Sequence, residues 1–384
     1  MTENILIQPE QNWILWAILI SVAAFSIWAE KTKIGSKFSA VVIAIFGTFL
    51  LSNLSIIPSS APSYDIVWAY LVPIAIPLLL FKADLRKIIK EAGPTLLAFF
   101  FGAIGTILGT VIAYLLIPLG ENGWKLAAIF SSTYIGGSMN FVAAAEAVEL
   151  NSGNILAAGV AADNLVMAIY FLVLFAIPSI KFLNIRFQNH QQVNAEKDLN
   201  NFAPEQNVLN NITLPNLSKA IAIAISICAV GNLLADLSGI NGSSILIITA
   251  IVVLLATIFP KQIGSINGAD LVGTFLMQIF FAAIGASANI FIVLEYGPIL
   301  FVFAGLILTI HLIFLLISGK LFKLDLAEIV IASNANMGGP TTAAAMAVAR
   351  KWNALVIPAI LVGTLGYAIA TFIGVALGFW LQTF

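Results

Sequence analysis

One carboxylate stands alone in apolar surroundings. Asp163, followed by Asn164, sits near the middle of the apolar run 154–178. A charge at the centre of a bilayer costs roughly 2.5–3.5 kcal/mol on insertion scales, and it persists where it binds an ion, relays a proton or meets a partner. The other reading of Asp163 is a buried carboxyl satisfied by nearby amides or hydroxyls. Two further clusters carry polar chemistry. Ser131, Ser132 and Thr133 precede Gly136-Gly137, and Ser138 and Asn140 follow it. Ser333, Asn334 and Asn336 precede Gly338-Gly339, and Thr341 and Thr342 follow it. A helix arm that ends at such a break offers unpaired carbonyls, which suit a cation. The arm that starts after it offers N–H groups and the positive end of a dipole, which suit an anion. The same small residues also let helices pack closely.

These groups divide into two expected sets. Ion coupling falls to Asp163, Asn164, Thr133, Asn334 and Asn336, with Asp163 and Asn334 holding a sodium ion if sodium is the coupling ion. Substrate binding falls to Gly136, Gly137, Ser138, Asn140, Gly338, Gly339, Thr341 and Thr342. No cofactor is expected beyond a sodium ion or proton. His311, inside the run 295–318, either relays protons or packs against a neighbouring carbonyl. Glu328 either gates access or is an interfacial solvated carboxylate. Gly105-x-x-x-Gly109 and Gly285-Ala-Ser-Ala288 read as close-packing surfaces. Pro73 and Pro77 predict a kink, and Trp13, Trp16 and Trp28 fit interfacial anchoring.

The elements that position these residues follow from composition. Of 384 residues, 60% are hydrophobic and 9% charged, against about 25% charged in a soluble domain. This is an integral membrane chain, an all-α polytopic one, because the apolar runs are continuous rather than alternating. Seventeen basic against 18 acidic residues leave no footprint for nucleic acid. One cysteine, Cys228, excludes a disulfide framework, and two histidines are too few for a His-built zinc centre. No HExxH, no GxSxG and no second mid-membrane carboxylate argue for an enzyme.

Apolar segments run over 13–28, 38–58, 65–82, 95–118, 124–148 and 154–178, then 217–236, 243–259, 269–292, 295–318, 325–349 and 354–381. A polar stretch, 183–215, rich in Asn and Gln, separates them as a connector. Glu3 and Glu10 ahead of the first segment do not resemble the basic start of a signal peptide. The halves are collinear: the Gly-Gly breaks, the alanine-rich runs 143–147 and 343–349, and Gly93-Pro94 with Gly297-Pro298 recur at matching offsets. The expected organisation is a first repeat 1–182, a linker 183–215 and a second repeat 216–384.

Charge decides the orientation. If all twelve segments cross, nine basic residues fall inside and eight outside, which is no bias. If 124–148 and 325–349 each return to the side they entered, every basic residue but Lys125 falls inside. Each half then crosses five times, the halves are inverted, the linker is cytoplasmic and both termini lie outside the plasma (inner) membrane. A broken helix that crosses, with the parity change elsewhere, gives most of the same assignments. Broken helices at membrane depth must line a cavity or be buried in protein, so the two breaks locate the site.

Tyr134-Ile-Gly-Gly-Ser-Met-Asn-Phe-Val-Ala143, Ala161-Ala-Asp-Asn-Leu-Val-Met-Ala-Ile-Tyr170 and Asn334-Ala-Asn-Met-Gly-Gly-Pro-Thr-Thr-Ala-Ala-Ala345 resemble the YjcL-like family of membrane proteins, over nearly the whole chain. That family looks related to the cation/proton antiporter and anion transporter superfamily. The resemblance implies a secondary transporter of two inverted repeats, with a moving core domain and a static scaffold that is often a homodimer. The function expected is transport of a small organic solute, carboxylate-bearing because two helix N-termini point at the site, coupled to sodium or protons. The alternative is a cation/proton antiporter that uses Asp163 without an organic substrate.

Overall fold

The computed structural model describes residues 5–32, 40–180, 182–183, 187, 212–239 and 243–384. Most of the expected 183–215 linker therefore lies outside the described residues. The described residues are mostly helical. In the first half the longer helices are α1 (Asn12–Glu30), α2 (Ala40–Asn53), α3 (Pro62–Leu80), α4 (Pro94–Leu116), α5 (Gly123–Gly136), α6 (Met139–Ala147) and α7 (Gly153–Ala176). In the second they are α8 (Leu214–Ser238), α9 (Ser243–Ile258), α10 (Ala269–Ala286), α11 (Ile290–Leu321), α12 (Leu326–Ala349) and α13 (Val356–Leu381).

α4 shows how the sequence sorts its faces. It buries Ala98, Gly102, Gly105, Thr106, Gly109, Thr110 and Ala113. It exposes Leu97, Phe100, Ile104, Leu108, Ile112 and Leu115, spaced three or four apart. Small and hydroxylated residues face protein and large apolar ones face outward, the reverse of a soluble helix and the order a lipid solvent demands. Eight described helices are long and apolar enough to span a membrane, and the shorter apolar α2 and α9 accompany them. The chain is a polytopic all-α membrane protein. Pro73 is absorbed by a π-turn over Val67–Leu71 immediately before it. Gly105 and Gly109 take the backbone of His311 and Ile307, and Gly285 takes Ile45 and Thr48, so both sequences are close-packing surfaces as expected.

Contacts between helix ends sort those ends into two faces. On one, Asn53 bonds Ala288 O (2.9 Å) and receives Ile290 N (3.0 Å), Asn154 receives Asn289 N, Asn12 receives Ser63 Oγ, and Trp124 meets Phe379. On the other, Lys82 pairs with Asp270 at 3.1 Å, and Thr257 receives Leu85 N. Following the helices from these anchors puts the start of α1 and the end of α13 on the first face. It puts every described basic residue except Lys125 at the second.

The same logic shows that both broken segments double back. Lys125 Nζ donates to Glu149 O at 3.0 Å, although 24 residues of straight helix would separate them by about 36 Å. So α5 and α6 form a hairpin that opens on the first face. In α12, Thr342 Oγ1 donates to Asn334 Oδ1 at 2.7 Å, and Asn334 Nδ2 reaches Met346 Sδ at 3.5 Å. A straight helix would hold residues 334 and 346 about 18 Å apart. α12 is therefore also a hairpin, folded at Gly339, and it opens on the second face.

Candidate functional site at the hairpin tips

The two tips meet. Gly137 and Gly339, the second glycine of each pair, adopt nearly the same conformation: φ 85°, ψ 171° and φ 76°, ψ −164°. That region is open essentially to glycine alone. A Cβ on Gly137 would stand 3.1 Å from Gly339 N and 3.4 Å from Gly338 C, so backbone lies against backbone. A Cβ on Gly339 would stand 2.7 Å from Tyr367 Oη. Gly136 lies against Gly366 of α13, and Gly338 against Phe171 of α7 and its own hairpin's Thr342. The four glycines of the substrate set are thus one contiguous patch.

The carbonyls ending α5 are capped rather than left open, one by backbone and three by side chains. Gly137 N bonds Thr133 O at 2.7 Å, Thr106 Oγ1 bonds Tyr134 O at 3.0 Å, Asn336 Nδ2 bonds Ile135 O at 3.1 Å, and Asn140 Nδ2 bonds Gly136 O at 2.8 Å. This corrects the expectation of unpaired carbonyls at the first break. Lipid supplies no donors, so the chain brings its own from α4, α6 and the opposite hairpin. Asn140 is correspondingly occupied, because its Oδ1 accepts from Thr371 at 2.7 Å. It braces the tip against α13. Asn336 links the hairpins, and its Oδ1 is buried beside Gly102 without a hydrogen-bonded partner among the described residues. Thr133 bonds back to Ile129 O, and Asn164 to Val160 O. Asn334 holds the two arms of its own hairpin together. Ser138 is half-buried and Thr341 exposed. On the N–H side, no side chain caps the start of α6.

Asp163 is buried, 2% exposed. Its neighbour is Tyr134, in the last turn of α5. The two are close enough to interact, yet neither Tyr134 Oη nor Asp163 Oδ1 has a hydrogen-bonded partner among the described residues. Aromatic rings lie against Tyr134 and against the turn before Asp163. Gly159, one turn before Asp163, packs on Phe141 and Phe130, and Phe130 contacts Tyr134, Phe141 and Phe303.

A second polar system runs beside it. His311 Nδ1 lies 2.9 Å from Thr106 Oγ1 and Nε2 lies 3.0 Å from Ser333 Oγ, which is 2.7 Å from Tyr170 Oη. Thr106 gives its single proton to Tyr134 O, so His311 Nδ1 must carry a hydrogen. For a neutral ring, Ser333 then donates to Nε2 and Tyr170 donates to Ser333. His311 is packed, as one of the two expectations had it: the Gly102 backbone lies beside the ring, and hydroxyls stand at both nitrogens. Glu328 is not the solvated carboxylate expected. It is buried and accepts from Asp325 N in a capping box.

A family model described as a protein of unknown function (DUF819) matches residues 17–384. The chain belongs to that family. Among curated proteins it is 36% identical to the uncharacterized membrane protein YjcL of Bacillus subtilis (strain 168), over 99% of both chains. The resemblance to YjcL-like proteins is thereby established, and with it a membrane location.

Sequence reasoning missed the part of this DUF819 chain that seats both tips. α13 presents Gly363 to Pro340, Gly366 to Gly136, Gly374 to Ser132 and Ala128, and Gly378 to Ala128 and Trp124. Its glycines at 363, 366, 374 and 378 carry the small-residue spacing that lets backbones touch, and that signal was available in the sequence. Thr106 and Thr371, which satisfy buried groups of the first hairpin, had no such signal.

Proposed function

We propose that this chain is a secondary active transporter of a small organic solute, coupled to sodium or protons by alternating access. The observation that carries this reading is the meeting of two hairpin tips, glycine to glycine, from opposite faces. Chain reversals at membrane depth cost hydrogen bonds that lipid cannot replace, and such breaks are found where a substrate site is built. In this reading residues 1–182 and 216–384 are inverted repeats joined by a cytoplasmic linker. The basic second face is cytoplasmic and both termini lie outside the plasma (inner) membrane. The hairpins with α4, α7, α11 and α13 form the core. The remaining helices form the scaffold, through which a homodimer would assemble.

A carboxylate-bearing solute fits the polarity of the tip. The carbonyl end of the first break is satisfied by Thr106, Asn336 and Asn140, while the N–H end that begins α6 carries no side-chain cap. The net field there favours an anion. Gly136, Gly137, Ser138, Gly338, Gly339, Thr341 and Thr342 would contact it. A second reading, a cation/proton antiporter without an organic substrate, is favoured by the unpartnered Asp163 Oδ1.

A thermal-shift screen of small carboxylates, with and without sodium, followed by uptake of the hits into proteoliposomes, tests the proposal. Binding to the native state alone raises apparent stability by mass action. Ion-driven uptake of a hit supports it. Failure of every carboxylate, together with sodium–proton exchange in solute-free liposomes, overturns it in favour of the antiporter.

A further inference from the structure

We infer that His311 is a positioning residue of the solute site. It closes a one-way hydrogen-bonded chain that holds the first hairpin, the second hairpin and α7 in register, with Tyr170 as the detachable end. This rests on the transporter reading above and assigns to it a residue outside the tips. The chain has four links. Tyr170 Oη on α7 lies 2.7 Å from Ser333 Oγ on α12, and Ser333 Oγ lies 3.0 Å from His311 Nε2 on α11. His311 Nδ1 lies 2.9 Å from Thr106 Oγ1 on α4, and Thr106 Oγ1 lies 3.0 Å from Tyr134 O on α5. Tyr134 stands three residues before Gly137, and Ser333 six before Gly339. All of these residues are buried, with His311, Ser333 and Thr106 wholly inaccessible.

The hydrogens run in one direction. A carbonyl only accepts, so Thr106 gives its hydrogen to Tyr134 O, and Nδ1 supplies the hydrogen between ring and threonine. No carboxylate bonds the ring among the described residues, and an unpaired charge at this depth is costly, so the ring is neutral and Nε2 is bare. Ser333 then donates to Nε2, and Tyr170 donates to Ser333. Every donor from α7 to α5 points the same way, the arrangement in which hydrogen bonds polarise one another. A neutral imidazole suits the centre because one rigid ring carries a donor and an acceptor. The space for it is made on α4: a Cβ at Gly102 would stand 2.9 Å from His311 Cε1, and one at Gly105 would stand 3.0 Å from His311 O.

The links are unequal. Losing the Tyr170 phenol leaves Ser333 still bonded to His311, whereas breaking the Ser333–His311 link leaves Nε2 with no donor at all. α7 can therefore part from the second hairpin without undoing the chain that joins the two hairpins. Alternating access needs that freedom if the hairpins stay together.

Two measurements without solute test the inference. The chain has two histidines, His190 and His311, so in His190→Gln protein a nitrogen label reports His311 alone. Magnetic resonance of that protein in lipid should show Nδ1 protonated and Nε2 bare. Hydrogen exchange then separates the links. Tyr170→Phe removes only the first donor, so α7 amides should exchange about 2–10-fold faster, the effect of one hydrogen bond, with α4, α5 and α12 unchanged. His311→Phe keeps a ring and removes both central links, so α4, α5 and α12 should loosen too, by about tenfold or more. A proton on Nε2 would overturn the chain, and so would Tyr170→Phe loosening all four helices alike or none. Should His311→Phe fail to fold, the ring spectrum and Tyr170→Phe still decide. A chain that holds while no solute or ion moves sinks the transporter reading alone, and a failed chain with transport intact sinks this inference alone.

Discussion

Replacing Gly137 with alanine tests the meeting of the tips most directly. Two costs add. The backbone stands at φ 85°, ψ 171°, a region that costs a non-glycine residue about 1–3 kcal/mol. The new methyl then stands 3.1 Å from Gly339 N and 3.4 Å from Gly339 Cα. Those are backbone atoms of a hairpin that is itself seated on α13, so they yield only by moving the whole tip, a further cost of about 1 kcal/mol or more. The expected loss is about 2–4 kcal/mol. Gly305→Ala is the control. Gly305 lies within α11, and a Cβ there meets nothing within 4 Å. Removing a helical glycine should stabilise by about 0.5–1 kcal/mol. The assay is the melting temperature in one detergent, read by size-exclusion chromatography after heating, for wild type and both variants. The order expected is Gly305→Ala at or above wild type and Gly137→Ala clearly below. If Gly137→Ala melts with Gly305→Ala, the tips do not touch and the site built on them is wrong.

Three further outcomes follow from the same geometry. Asp163→Asn should stay folded while ion-driven transport is lost, because shape is kept and the charge removed; uptake that proceeds normally with unchanged ion dependence would make Asp163 structural. Asn140→Leu leaves the Gly136 carbonyl and the Thr371 hydroxyl without their partner, costing about 2–4 kcal/mol for two buried groups; Thr371→Val alone should cost less, and equal melting of Asn140→Leu and wild type would refute the brace. Single cysteines at Trp352 or within 183–215 should react with an impermeant thiol reagent only from the cytoplasm, and one at Glu149 only from outside; outside labelling of the linker removes the inverted-repeat reading.

Much of the fold was legible because lipid is an exacting solvent. A span needs about 20 apolar residues, so the long apolar helices stand out in the sequence. Basic residues stay on one side, so the parity of crossings could be counted, and the helix-end contacts that sort Lys82 with Asp270 and Asn53 with Ala288 follow the same parity. The Gly-Gly pairs marked both reversals, since the left-handed φ of Gly137 and Gly339 admits little else. What stayed hidden was pairing. Which donor caps which carbonyl depends on side chains far apart in the chain, such as Thr106 on Tyr134 O or Asn336 on Ile135 O. Asn334 illustrates the difficulty. Polar and near a break, it fits a sodium ligand by composition, but the fold of the hairpin brings Thr342 to its oxygen first.

In the inverted-repeat reading proposed above, α7 and α13 would be counterparts, with Asp163 corresponding to Gly363, and this would explain why the carboxylate occurs once. Position 363 is given over to packing, because Pro340 and Gly339 backbone atoms lie directly on it. A side chain there would push the second tip off α13. Three residues on, Gly366 holds the first tip, where a Cβ would stand 2.8 Å from Gly136 Cα. So α13 bears both tips through backbone contact at its glycines, with Thr371 and Tyr367 as side-chain contacts, while α7 meets the second hairpin through side chains alone, Phe171 on Gly338 and Tyr170 on Ser333. That freedom leaves α7 able to carry Asp163. Interfaces that are close-packed at glycine do not slide without opening a void or a clash. If the core moves during transport, both hairpins and α13 therefore move as one body. The adjustment must come where contacts run through side chains, which is the α7 side where Asp163 and Tyr134 stand.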